Sequence, residues 1–366
     1  MKQLRVTIIS ILCILAIRTL TAKEKPLIHV LVPRFDGDPA IGAPVATVLN
    51  LQLWRTLRPS PEVKTAVFSG KVTWSPEALS EQSHTVAEEV AQRTQPRAQM
   101  VLWGKAWAFG NGVVAQSYLS IPDYQDLRPT WPERWYVKFT IRNIEVEMEP
   151  DLPTRRYEFP ALPLRAEVVS EFQEVGSLRL YHDKELSKPR GKLGLANFTA
   201  KDHLGNRSMI TLDDEKGRIA WVRIPNLSNR KSYIVDFVGG LVRVFRGDYA
   251  GAQELFASVA SAKDASQQLK LDSLLYLAYS ADRLGKDPLI HTTAALKLNP
   301  YSAAAVRYHL MAQSSLFARR AARANPDETK RFQSKLKTIL HTYEYLLSPN
   351  DPILTTTKAI ANASAP

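Results

Sequence analysis

Between Ile234 and Ala260 the chain reads IVDFVGGLVRVFRGDYAGAQELFASVA. An apolar run broken by Gly239-Gly240 stops at Gly247-Asp248 and resumes as a second run. Tyr249, Ala252 and Phe256 fall three and four apart, the spacing that puts side chains on one helical face. Small residues at 240 and 252 let two helices approach closely. A helical hairpin of this kind cannot hide its apolar side alone, so it needs a neighbour to stack against. This joint constrains the last third of the chain more than any other feature.

The pattern then repeats. Leu274-Leu275-Tyr276-Leu277-Ala278-Tyr279 opens a second pair that turns at Leu284-Gly285 and carries Ala295 and Pro300. Ser302 to Ala324 and Thr329 to Leu347 are expected to be two further helices, and the stretch after Pro349 a flexible tail. Gly240, Gly247, Tyr249, Ala252 and Phe256 stand at spacings that resemble a tetratricopeptide repeat, whose unit is about 34 residues. Asp236 departs from that family's pattern, because a large residue usually opens the first helix there. The interval from Gly247 to Gly285 is also longer than the family's unit. The resemblance implies helical repeats over residues 229–348, a tail over 349–366 and a concave surface that binds peptides or proteins. On that reading Tyr276, Tyr279, Arg283 and Arg307 are the partner-binding residues facing the groove.

The other end of the chain is set apart by charge and hydropathy. Lys2 and Arg5 precede the apolar run Val6 to Ile17, which Arg18 ends and which is short for a bilayer span. Residues 1–22 are therefore expected to be a signal peptide. The one cysteine, Cys13, falls inside it, so the mature chain would have neither disulfide nor thiol chemistry. Apolar residues make up 45% and charged residues 23%, a globular balance that permits a core held by burial alone. Losing Lys2, Arg5 and Arg18 would lower the formal charge from +12 to +9. A basic exported protein suits an acidic partner, an envelope polymer or an anionic membrane surface, and nucleic acid is not expected as a partner.

Residues 23–121 alternate strand and helix patterns. Leu27 to Val32 is a continuous apolar run closed by Pro33, as in a buried strand. Val45, Val48, Leu49, Leu53 and Leu57 have helical spacing. Val63 to Val72 reads as a strand and Ser80 to Gln95 as a polar helix. Two β-rich runs flank Gly110-Asn111-Gly112, a hairpin signal. The order gives a small α/β layer domain. IHVLVPRFDGD and VLWGKAWAFGNGVVAQSYLSI resemble the amino-terminal domain of TolB and related envelope proteins, with Arg34 separating the usual Pro-Phe pair. That likeness implies a periplasmic assembly module rather than an enzyme.

Prolines punctuate residues 122–167, read as a connector with strands at Trp135 to Ile141 and Ile144 to Met148. Residues 168–228 hold short strand candidates at Ser177–Tyr181, Gly194–Phe198, Ser208–Leu212 and Ala220–Ile224, separated by turn residues. That density suggests a small barrel. SLRLY and GRIAWVRI resemble a bacterial SH3-like domain, with the usual Gly displaced to Gly217. Such domains bind peptide or cell-wall material.

No motif for catalysis stands out. The seven histidines are scattered, with no His-Glu-x-x-His spacing, and there is no Gly-x-Ser-x-Gly elbow. No enzyme activity, cofactor or metal is expected. Arg319, Arg320, Arg323, Lys330, Arg331, Lys335 and Lys337 form a basic cluster. The expectation is a multi-domain α+β protein, exported to the periplasm, acting as a non-catalytic scaffold for envelope proteins. The alternative is a cell-wall or polysaccharide-binding module acting through the SH3-like region.

Overall fold

The computed structural model describes residues 28–57, 63–68, 81–95, 97–122, 137–141, 144–148, 155–193, 198–212, 216–230, 232–321 and 326–362. The expected signal peptide lies outside them. The described residues form a mixed α+β protein with ten α-helices and three sheets.

The apolar run at the start is strand β1 (Ile28–Pro33), buried along its whole length. It sits between β3 (Val63–Phe68) and β4 (Met100–Phe109), parallel to both. Flanked on both edges and covered on both faces, it carries no polar alternation. β2 (Asp36–Gly37) also pairs with β4. β4 turns at Gly110, φ 57°, into antiparallel β5 (Gly112–Ser120), as the Gly-Asn-Gly signal predicts. β8 (Arg156–Glu158) and β9 (Leu162–Pro163) complete the sheet against β5. Helix α1 (Pro39–Thr56), capped by Asp38, packs on one face. Helix α2 (Glu81–Gln92) packs on the other, over Leu31, Val101 and Trp103.

Between these elements β6 (Val137–Ile141) and β7 (Ile144–Met148) form a separate antiparallel hairpin. Helix α3 (Ala166–Val175) follows and ends at Gly176 in the left-handed region, φ 68°. Then come β10 (Leu178–Tyr181), β11 (Pro189–Leu193), β12 (Phe198–Leu204), β13 (Arg207–Leu212) and β14 (Ile219–Arg223). They form an antiparallel sheet in the order β11-β10-β14-β13-β12. Of the strand expected at Gly194–Phe198, Phe198 opens β12, and residues 194–197 lie outside the described residues. β11 contains Pro189 and Gly191, which an edge strand tolerates because one side of its backbone is unpaired. Trp54 of α1 meets His203 of this sheet at 4.5 Å between ring centroids, and Arg55 donates to the Gly205 carbonyl at 3.3 Å.

The remainder is helical: α4 (Ile234–Phe245), α5 (Tyr249–Ala260), α6 (Gln267–Arg283), α7 (Leu289–Leu298), α8 (Ala303–Ala321), α9 (Pro326–Tyr343) and α10 (Pro352–Asn362). Asp248 caps α5 through the Gly251 amide, and Ser266 caps α6 through that of Leu269. A Cβ on Gly240 would stand 2.8 Å from the Phe256 ring, so only glycine permits the observed approach of α4 to α5. Phe256 in turn stacks on Tyr276 of α6, 5.0 Å away at 10°.

The tail expectation is corrected. Residues 352–362 are helix α10, capped by Asp351, with Ile353, Leu354, Thr357, Ile360 and Ala361 buried. Those positions follow helical spacing, but threonines and alanines between them blur the pattern. One continuous core runs from Val30 through Phe159 and Phe237 to Ile360.

Candidate functional site

The structure separates the four residues expected in a groove. Tyr276 and Tyr279 are interior, 1% and 4% exposed, which corrects their assignment to a partner surface. A partner cannot reach a ring enclosed on every side. Tyr279 meets Tyr249 edge-on at 5.8 Å, and Arg283, on the surface, lies 5.5 Å from the Tyr249 ring centroid. Arg307 stands apart: its Nε donates to Asp351 Oδ2 at 2.6 Å and so ties α8 to the cap of α10.

The chain itself covers the face on which Tyr276 lies. Phe237 of α4 packs against Tyr157 of β8 at 4.8 Å and against Phe159 at 5.9 Å. α1 lies along α4, where a Cβ on Gly239 would be 3.1 Å from Thr56. β6 runs beside α8, and β7 beside α10.

A polar junction sits inside this contact. The hydroxyls of Tyr157 and Tyr276 are 2.8 Å apart. Burial, above all, pushes both phenols above their usual range; Tyr276 adds to the rise of Tyr157, while the hydrogen bond from Tyr157 opposes that of Tyr276. Asp272, one turn before Tyr276 and 2% exposed, accepts from Gln268 at 3.0 Å. Burial raises its carboxyl to about 7, against a smaller opposing effect of the Gln268 hydrogen bond.

Under α2, Ser120 accepts from the Trp103 indole at 2.9 Å and shares a hydrogen bond with His84 Nδ1 at 2.6 Å. The pair has the spacing of a nucleophile and its base. Ser120 is nevertheless wholly buried, and Trp103 stacks with Tyr118 at 4.4 Å beside it. Burial, then the charge of Arg156, lowers His84 to about 4. The arrangement satisfies buried polar groups within a packed layer. Among the described residues, no three His, Cys, Asp or Glu side chains converge as metal ligands, and no helix is long and apolar enough to cross a membrane.

The outward surface is more distinctive. On α7, Ile290, Thr293, Ala294 and Lys297 lie at helical spacing along one side, with Tyr301 just beyond the helix end. Ile290 is 71% exposed and Tyr301 75%. Arg283 at the end of α6 and Lys286 and Asp287 on the turn before α7 are exposed. Ile290 and Tyr301 are not legible as surface residues in the sequence, because apolar residues in a helical repeat are assigned to packing by default. The signal lay in Ile290 following Leu289, where helical spacing can bury only one of the two. Lys330, Arg331, Lys335 and Lys337 are exposed on α9. The side chains of Arg319, Arg320 and Arg323 lie outside the description.

No protein-family model, curated protein or solved structure matches this chain. What is defined is a mixed α+β architecture whose C-terminal helices are bound to an N-terminal sheet.

Proposed function

We propose that this chain is an exported, non-catalytic adaptor of a bacterial cell envelope that binds a protein partner through its C-terminal helices. In this reading α4–α7 are two tetratricopeptide-like repeats, β10–β14 an SH3-like unit and the first sheet a TolB-like layer. The carrying observation is the outer side of α7, where Ile290 and Tyr301 are exposed. Large exposed apolar residues beside charges are the composition of a protein-binding patch. The inner face of the helices is filled by the protein's own N-terminal layer, which directs partner contact to the outside. Exposed lysines and arginine on α9 favour an acidic partner or an anionic membrane surface nearby.

A photo-crosslinking residue placed at 290 or 301 and activated in the intact envelope tests the reading. The expected result is one discrete protein adduct from both positions and none from exposed position 201 on the sheet. Ile219 and Leu204, exposed on β10–β14, favour the competing cell-wall reading. Sedimentation with purified cell wall, lost on substituting those two residues, together with silence at 290 and 301, overturns the adaptor.

A further inference from the structure

The net charge of the chain is gathered at one end. From Pro288 to Pro366 there are ten basic and four acidic residues, so half of the formal +12 falls in the last fifth of the sequence. Of the four acids, Asp351 is taken by Arg307 and Glu344 by Lys358. Asp327 and Glu328 stand in the first turn of α9, where the helix dipole favours them.

Beyond that turn α9 divides into two sides. Phe332, Leu336, Ile339, Leu340 and Tyr343 pack on the core. The other side carries two adjoining stripes at helical spacing: Lys330, Ser334, Lys337 and His341, and Arg331, Lys335, Thr338 and Thr342. All eight are exposed. Four cations thus share a face that holds no acid, and among the described residues none of the four is in an ion pair. Arg331 and Lys335 are four apart, a like-charge spacing that costs the helix stability in water. A surface of opposite charge relieves that cost.

The character of the face selects the surface. It has no large apolar side chain, whereas a protein interface has an apolar centre and few lysines. Three of the four cations are lysines, hydrated point charges drawn by a field rather than forks that fix one carboxylate. A single helix is a convex ridge, and at 18 residues it is about 27 Å long. Just past its end Tyr345 is 67% exposed, an aromatic of the kind found at headgroup level. A flat layer of phosphates suits each of these properties.

We propose that the outer face of α9 docks on an anionic phospholipid bilayer, with Lys330, Arg331, Lys335 and Lys337 among the phosphates. Lipid docking through α9 goes beyond the adaptor reading, which concerns α7, and either can fail without the other.

The test is sedimentation of the full chain with sucrose-loaded vesicles of phosphatidylcholine, alone or with about 30% phosphatidylglycerol. At low salt the anionic vesicles should bind at least a hundredfold more tightly than the neutral ones, and the preference should vanish in about 0.5 M salt. Each cation near such a surface strengthens binding roughly fivefold. Lys335→Gln should therefore weaken it about fivefold, and Lys330→Gln, Arg331→Gln, Lys335→Gln and Lys337→Gln together at least thirtyfold. Lys184→Gln, Lys188→Gln, Lys201→Gln and Lys263→Gln together remove the same charge from exposed sites elsewhere and should weaken it less than threefold. All the substituted side chains are exposed, so both fourfold variants should melt within about 3 °C of wild type. The proposal is overturned if the anionic vesicles do not bind, if neutral vesicles bind as well, or if the two fourfold variants lose equally. Capture of soluble polyglutamate by the same four side chains, without vesicle binding, also overturns it and assigns α9 to an acidic protein.

Discussion

Tyr157 on strand β8 and Tyr276 on helix α6 share a hydrogen bond of 2.8 Å between their hydroxyls, across 119 residues of sequence. Both rings are enclosed, and Tyr157 also packs on Phe237 while Tyr276 stacks on Phe256. The bond is the polar centre of an otherwise apolar contact between sheet and helices. Removing one hydroxyl leaves the other buried with its main partner gone. Tyr157→Phe and Tyr276→Phe should each cost about 1–2 kcal/mol in denaturant unfolding. The double variant should cost clearly less than the sum, because both hydroxyls then leave together. Strict additivity would show that the two groups are not coupled.

Asp272 makes stability depend on pH. Burial raises its carboxyl from 3.8 to about 7 in the folded protein. Folding therefore favours the protonated acid, and stability declines as pH rises from about 4 to about 7, then levels off. Asp272→Asn keeps an acceptor for Gln268 and removes the charge, so it should flatten this decline. At pH 8 the variant should be the more stable, by up to ~4 kcal/mol. His84 and His309 act in the opposite direction. Burial, chiefly, lowers each to about 4, so their contribution is lost as pH falls from 6.5 toward 4. Melting temperatures across pH 4–8 for wild type, Asp272→Asn and His309→Gln separate the two effects.

Gly240→Ala sets helix propensity against packing. Alanine is the better helix former by about 1 kcal/mol. The added Cβ would meet three atoms of the Phe256 ring at 2.8–2.9 Å. That ring cannot withdraw, since Tyr276 stacks on its face and Phe237 meets it at 5.5 Å. The clash should win, with a net loss of about 1–3 kcal/mol. A stabilised variant would mean that α4 and α5 can separate without penalty.

Truncation after Ser348 should be costly. It removes Ile353, Leu354 and Ile360 from the core and leaves Arg307 without Asp351. Each buried aliphatic side chain contributes about 1.5–3 kcal/mol, so the loss is on the order of 5 kcal/mol. A truncated chain with an unchanged melting temperature would overturn the packed role of α10.

The order of strands and helices was largely legible because each segment carries its own period. The uninterrupted run at Ile28–Pro33, the Gly-Asn-Gly hairpin, and the Tyr249–Ala252–Phe256 spacing all name their elements locally. Edge and capping pieces were not. β11 contains the residues strands usually avoid, and α10 hides its apolar positions among threonines. The candidate site was legible least. The periodicity that puts Tyr276 on one side of α6 is silent about what lies on that side, and here it is β8, more than a hundred residues earlier. Arg230, Ser232 and Asp264 lie in segments without periodicity, so only the fold shows that they line one cleft.

The dependence of β8 on α4 and α6 has a bearing on how the chain comes into being. Tyr157 and Phe159 find their ring partners only when residues up to Tyr276 have arrived. At ordinary rates of synthesis that is a wait of roughly ten seconds. Throughout that interval the early sheet presents a greasy flank to its surroundings. A chain built this way calls for something to shield that flank until its own last third can take over.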